Sequence, residues 1–377
     1  MSIRGRVTVA STGTAPIIVA ALEVPTLAGM PFRIADYVVL EPNGGVYSFA
    51  LPPMTYRVAA FEDGNRDLDY QPNERAGAFD DFHDLALSPG EIREHIDIHI
   101  AASDPRGQEL ALEHPTGETR SLHIGDVVPL EDPRFAHDTG RMGMLEPLRF
   151  TREIGNGVLL TEEHRHERIP ILFVHGISGY PQEFREIIAS LDRSRYEAWI
   201  VQYASGFDLS LIAEYVDRAL DEIELAHRLD TLCVVAHSMG GVVMREALSR
   251  HARSAEHARV PLFITIASPL GGHPGAAAGV AFSPVVLPVW QSLVPSGPFI
   301  RALFDAPLAP ETRYELIFAY GSSDNSDGVV PLQSQLREEA QREAALVRGF
   351  YESHTGVLHS EAAVHFIARE INAHCQR

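Results

Sequence analysis

The chain has 377 residues, enough for two or three domains. Hydrophobic residues make up 45% and charged residues 22%, a globular rather than a disordered composition. Acidic residues outnumber basic ones 51 to 31 for a net charge of −20, and every basic residue is arginine, so the surface repels phosphate backbones and anionic headgroups and no nucleic-acid partner is expected.

The N-terminal stretch Met1 to Ala10 alternates arginine with small and apolar residues and lacks the apolar run of a signal peptide. A cytoplasmic location is therefore the default expectation unless a leader has been removed. Residues 1–100 read as all-β. Short β-branched runs, Arg4–Val9, Pro16–Leu22, Tyr47–Leu51, Thr55–Phe61 and Ile96–Ile100, recur between Gly and Pro punctuation, which predicts a small sandwich. The loop Asp63 to Glu74 places oxygen side chains at Asp63, Asn65, Asp67 and Asp69 and closes on Glu74, the spacing of a calcium loop. Leu68 stands where such a loop needs glycine, and a solvated acidic turn is the competing reading. Residues 101–165 are polar and read as a connector, with a strand-like piece at Gly157–Leu160.

From Ile169 the rhythm changes. Apolar strand-like runs at Ile171–Val174, Ala198–Gln202, Leu232–Ala236 and Leu262–Ala267 alternate with helical patterns at Pro181–Leu191, Leu209–His227 and Gly241–His251. Tyr314–Tyr320, Ala345–Phe350 and a closing helix from about Ser360 follow. Strands that are apolar on both faces and alternate with helices predict a parallel sheet covered on both sides, an α/β domain over 166–377.

Chemistry enters at three loops. Ile171–Val174 runs into His175-Gly176-Ile177-Ser178-Gly179, where glycines allow close approach and the Ile177 amide is a candidate oxyanion donor. His175 is expected to brace this loop by hydrogen bonds. The second loop, Ala236-His237-Ser238-Met239-Gly240-Gly241, joins a buried strand to a helix. A sharp turn there thrusts Ser238 above the sheet, needs small residues two positions away, and aims the Met239 amide at a developing oxyanion. A helix N-cap serine is the competing reading. The third stretch, after Tyr314–Tyr320, offers Asp324 and Asp327 as the acid. Asp327 is preferred because Gly328 and two valines follow it. After Ala345–Phe350, His354 is preferred to His359 as the base, since His359 adjoins Ser360, the expected N-cap of the closing helix.

Between these loops lies an apolar, proline-rich insertion of about 272–310, read either as a cap over the site or as helices completing the core. Its longest apolar stretch, Gly279–Val294, is broken by Pro284 and Pro288 and is too short to span a bilayer, so no transmembrane segment is expected. The two cysteines, Cys233 in an apolar run and Cys375 near the C-terminus, exclude a disulfide scaffold, and no bridge between them is expected.

Together the His-Gly-Ile-x-Gly loop and the Ala-His-Ser-Met-Gly-Gly elbow resemble the α/β-hydrolase family, and within it bacterial lipases and esterases. The resemblance covers Ile169 to the C-terminus. It implies Ser238 as nucleophile, Asp327 and His354 as acid and base, the amides of Ile177 and Met239 as oxyanion hole, and no cofactor in the chemistry. It also implies a small-molecule or lipid ester substrate. Tyr47 to Phe61 resembles the transthyretin-like sandwich that accompanies carboxypeptidases. Acyl transfer, amide or peptide hydrolysis on the same fold, or a binding protein with an inert hydrolase half, are the alternatives.

Overall fold

A computed structural model describes residues 2–10, 13, 15–24, 32–40, 42–64, 70, 71, 73–88, 91–101, 122–252, 257–283 and 286–377. The chain divides into two compact units, Met1–Leu122 and His123–Arg377.

The first unit is all-β. Strands β1 (Ser2–Val9), β2 (Ile17–Glu23), β3 (Arg33–Leu40), β4 (Gly45–Ala50), β5 (Thr55–Glu62), β6 (Ala76–Ala78), β7 (Leu85–Ala86), β8 (Ile92–Arg93) and β9 (Ile98–Ile100) form two sheets. In one, β1 lies between β4 and β8 and also pairs with β9. In the other the order is β3-β2-β5-β6, with β7 on β5. Along β1 the period-2 pattern buries Ile3 and Val7 and exposes Arg4, Arg6 and Thr8. Those two residues share one core with Ile17 and Val19 of β2, Tyr47 and Phe49 of β4, and Val58 of β5. Asn65, Asp67 and Asp69 of the calcium-spaced loop lie outside the described residues. Of the other two, Asp63 is buried, and Glu74 accepts the Gly64 amide on one oxygen at 2.8 Å and the Gln71 amide on the other at 2.9 Å.

The second unit is built on an eight-stranded sheet. Its strands are β10 (Leu122–Val127), β11 (Asn156–Leu160), β12 (Ile169–Val174), β13 (Tyr196–Gln202), β14 (Cys233–His237), β15 (Leu262–Ile266), β16 (Arg313–Ala319) and β17 (Leu346–Phe350). The order is β10-β11-β13-β12-β14-β15-β16-β17. β11 runs antiparallel to β13, and every pair from β13 to β17 is parallel. The stretch read as a connector therefore divides: from His123 it belongs to this unit, and helices α1 (His137–Leu145) and α2 (Pro147–Glu153) separate its two strands. Its short apolar pieces gave little periodicity, yet Phe135 and Phe150 are fully buried.

Helices α3 (Arg185–Ala189), α4 (Leu209–His227), α5 (Met239–His251), α6 (Pro274–Phe282), α7 (Pro288–Ser292), α8 (Pro298–Ala302), α9 (Leu332–Gln335), α10 (Glu338–Glu343) and α11 (Glu361–His374) complete the unit. α4 shows why its sequence is helical. Asp208 caps it by accepting the Ser210 amide at 2.9 Å. Leu209, Ile212, Ala213, Val216, Ala219, Leu220 and Ile223 form one buried stripe at helical spacing. In the insertion, Val289, Leu293, Ile300 and Leu303 are buried while Phe282 is 87% exposed. The Ser292 hydroxyl donates to Asp208 at 2.7 Å, which ties α7 to the start of α4.

Cys233 and Cys375 form a disulfide, contrary to the expectation from sequence. They are 142 residues apart, and α11 returns across the sheet to bring Cys375 against the first residue of β14. Among the described residues, no helix is long and apolar enough to cross a membrane.

Candidate active site

The direction of chain growth reverses around β12. β13 lies on one side of it and β14 on the other, and the carboxyl ends at such a switch point leave a crevice. The register sets Val174 opposite Ala236, so the loops after β12 and β14 start at the same level. A Cβ placed on Gly176 would lie 2.6 Å from Ser238 Cβ and 3.0 Å from its Oγ. Only glycine permits that approach.

Ser238 has φ 53° and ψ −131°, a conformation that costs a non-glycine residue on the order of 1–3 kcal/mol. The surrounding packing enforces it. Ala236 is fully buried, and a Cβ on Gly240 would come within 2.5 Å of the carbonyl oxygens of Val174 and His175. Ser238 occupies the N-cap position of α5 but makes no capping bond with its side chain. The hydroxyl instead lies 2.9 Å from His354 Nε2.

His354 follows β17. Its Nδ1–H donates to Asp327 Oδ2 at 2.7 Å, and its backbone amide donates to the Asp327 carbonyl at 2.9 Å. Asp327, in the loop after β16, is nearly inaccessible. Its Oδ1 accepts the Val329 and Val330 amides at 2.9 and 2.7 Å, and its Oδ2 accepts Gln335 Nε2 at 3.2 Å. Burial would raise the Asp327 carboxyl, but the His354 ring and the two amides outweigh it and hold the group below the usual carboxylate range. Burial lowers the His354 pKa below 6.5, as does the neighbouring His237 ring, against the opposing pull of Asp327. The imidazole is therefore neutral at pH 7, with Nε2 able to accept a proton.

The structure brings Ser238, His354 and Asp327 into one hydrogen-bonded chain and leaves the competing candidates outside it. Asp324 is exposed and accepts the Ser326 hydroxyl, which with Ser322 lowers its pKa. His359 is exposed just before α11. Ile177 lies in the turn after β12, and Met239 is the first residue of α5, where the leading amides have no acceptor within the helix. His175 stacks on Tyr203 with ring centroids 4.4 Å apart, and its Nδ1 bonds the Gly176 carbonyl at 2.9 Å. Tyr203 donates its hydroxyl to the His175 carbonyl at 2.5 Å, and Ser205 Oγ accepts the Ser178 amide at 3.0 Å. His273, which caps α6, bonds the Val329 carbonyl at 2.7 Å, so the insertion abuts the loop that carries Asp327.

Three supporting residues gave no signal in sequence. Gln335 spans β16 and the acid loop, accepting the Ala319 amide at 3.0 Å and donating to the carbonyls of Ala319 and Val330 at 3.1 and 2.9 Å. His237 donates from Nε2 to the His354 carbonyl at 2.9 Å, and its Nδ1 lies 3.3 Å from buried Glu183. The residue before the nucleophile thus holds the segment that carries the imidazole.

A model of the alpha/beta hydrolase family matches residues 171–367, just over half of the chain. The chain belongs to that family. No curated protein matches it. Among solved structures it is similar to the mature form of a Bacillus licheniformis lipase, at 17% identity over 56% of this chain and 94% of that one, with a TM-score of 0.44. It is also similar to a gene product of Listeria innocua, at 14% identity over 53% of this chain and 92% of that one, with a TM-score of 0.43. Lipase B of Aspergillus fumigatus is a third, at 17% identity over 56% and 54% of the two chains, with a TM-score of 0.42.

Proposed function

We propose that the chain hydrolyses carboxylic esters through an acyl-enzyme formed on Ser238. The observation that carries this reading is the path from Ser238 Oγ to His354 Nε2 at 2.9 Å and from His354 Nδ1 to Asp327 at 2.7 Å. In the first step Oγ attacks the ester carbonyl carbon as its proton passes to His354 Nε2. Asp327, already anionic, stabilises the imidazolium that forms. The amides of Ile177 and Met239 receive the tetrahedral oxyanion. Collapse expels the alkoxide, which takes the proton from Nε2 and leaves as the alcohol. Water then repeats the sequence on the acyl-enzyme and releases the carboxylic acid. No cofactor is needed for either half. The apolar insertion beside the acid loop favours an uncharged acyl group of a small-molecule or lipid ester.

The test is a fluorophosphonate probe together with hydrolysis of a short-chain nitrophenyl ester. One label per chain is expected, on Ser238, and Ser238→Ala should abolish labelling and lower kcat by roughly 10⁴-fold or more. Labelling that persists in Ser238→Ala would refute the assignment.

A further inference from the structure

Away from Ser238, β16 and α11 bring together a second group of side chains that the proposed chemistry does not use. Glu315 lies in the first half of β16, and Glu370 and His374 stand four residues apart on α11, hence on one helical face. One ligand atom from each lies within 4.8 Å of those of the other two. The strand leads on to the Asp327 loop only after Ala319, about 13 Å further along at strand rise.

The arrangement of counter-charges is informative. Arg313 Nε donates to Glu315 Oε1 at 2.7 Å. Arg369 donates to Glu370 Oε1 from Nε and Nη2 at 3.0 and 2.7 Å. Each arginine engages one oxygen and leaves the other carboxylate oxygen to the cluster. Glu370 Oε2 lies 3.5 Å from His374 Nε2. Glu315 is fully buried, and its Oε2 is buried with no hydrogen-bond partner. Two acceptor oxygens and an imidazole nitrogen converge there, and a buried acceptor with no donor is costly. Either a proton shared between the two carboxyl groups or a divalent cation would satisfy that Glu315 oxygen, and only the cation would also use the imidazole nitrogen.

We propose that Glu315, Glu370 and His374 bind a divalent transition-metal ion of the zinc class, which pins α11 to β16. Two carboxylate oxygens and one imidazole suit zinc, whereas calcium and magnesium prefer all-oxygen shells. Donors at zinc distances of about 2.0–2.2 Å stand about 3.4 Å apart in a tetrahedral set; Glu370 and His374, at 3.5 Å, already have that spacing, and Glu315, within 4.8 Å of both, would have to draw in to reach it. His374 is partly exposed, which gives the ion a path in and leaves a coordination position for water. The next residue, Cys375, is bonded to Cys233, so the ion and the disulfide would secure the same helix end to two different strands.

The test uses the full chain, stripped with a chelator and titrated with zinc chloride by calorimetry and thermal unfolding. Wild type should bind one equivalent more than either Glu315→Gln or His374→Ala, and its Tm should rise by about 5 °C at a hundredfold excess over Kd. Each variant should lose that equivalent or weaken it at least tenfold. His374→Ala changes a partly exposed position and keeps the test valid should Glu315→Gln fold poorly. Three results would each overturn the proposal. One is no saturable binding. Another is zinc binding unchanged in both variants, which would place the ion on other histidines. The third is a stripped Glu315→Gln protein with a higher Tm than wild type that zinc does not affect, which would mean that the two glutamates share a proton. An equal response to calcium would overturn the assignment of ion class.

Discussion

The disulfide offers the sharpest quantitative test of the fold. Cys233 opens the strand that ends at the nucleophile, and Cys375 follows the last helix. In the chain-entropy description, closing a loop of 142 residues restricts the unfolded chain by an amount worth about 5 kcal/mol at 25 °C. Cys375→Ser should remove most of that, because both sulfurs are fully buried and a serine there adds little new packing. For a unit of this size each kcal/mol corresponds to about 2–4 °C, so the Tm of the second unit should fall by roughly 10–20 °C. The assay is differential scanning calorimetry of oxidised wild type and of the variant, with a free-thiol count on the denatured chains. Wild type should show no free thiol and the variant one. The elbow itself is set by the pairing of β14 with β12 and β15, so ester hydrolysis at 25 °C should stay within about twofold of wild type. A Tm within 2 °C of wild type, or two free thiols in protein prepared under oxidising conditions, would refute the reasoning.

Other consequences follow from the site. Because burial and the His237 ring lower the His354 pKa, kcat/KM for the ester should rise with pH through a midpoint below 6.5 and be flat from neutrality upward; a midpoint above 6.5 would contradict this account of the base. Gly176→Ala drives a methyl to 2.6 Å from Ser238 Cβ, so kcat should drop about a hundredfold while the fold survives, and full activity by the ester assay would show that the loop is not held there. Ser238→Gly should be more stable than Ser238→Ala by about 1 kcal/mol in denaturant unfolding, since glycine alone relieves the positive φ; equal stabilities would mean that the turn is unstrained.

What could be read from sequence follows the range of the contacts involved. β14 and α5 announce themselves within a dozen residues, because burial on both faces makes the strand apolar throughout and the turn demands small neighbours at Ala236 and Gly240. The α4 span agrees with its pattern residue for residue, from a capping Asp208 to a left-handed Arg228. β3 left no clear signal. Its partner β2 shifts register between Ala21 and Leu22, and the bulge interrupts the alternation. The helix expected over Pro181–Leu191 is a 3₁₀ turn followed by five residues of α3. The Cys233–Cys375 pairing and the Gln335 brackets were invisible for a common reason: each joins elements whose proximity exists only after the sheet has assembled.

Three non-glycine residues with positive φ, Ser178, Ser238 and Ala267, follow three neighbouring strands at their carboxyl ends. Such strain persists only where surrounding structure overdetermines it. Each has a visible restraint. Ser178 gives its amide to Ser205, Ser238 gives its amide to the Ile266 carbonyl at 2.8 Å, and Ala267 gives its amide to Ile317 at 2.9 Å. Two of the three restraints come from the next strand of the sheet, so the bend at one strand end is held by its neighbour. The parallel sheet thereby does more than align the loops. It sustains the local distortion that lifts the Ser238 hydroxyl off the helix it would otherwise cap and directs it to an imidazole contributed 116 residues later. A serine with its amide and its neighbours fixed in this way has little freedom left to lose when a substrate arrives, which is the condition under which positioning lowers a barrier.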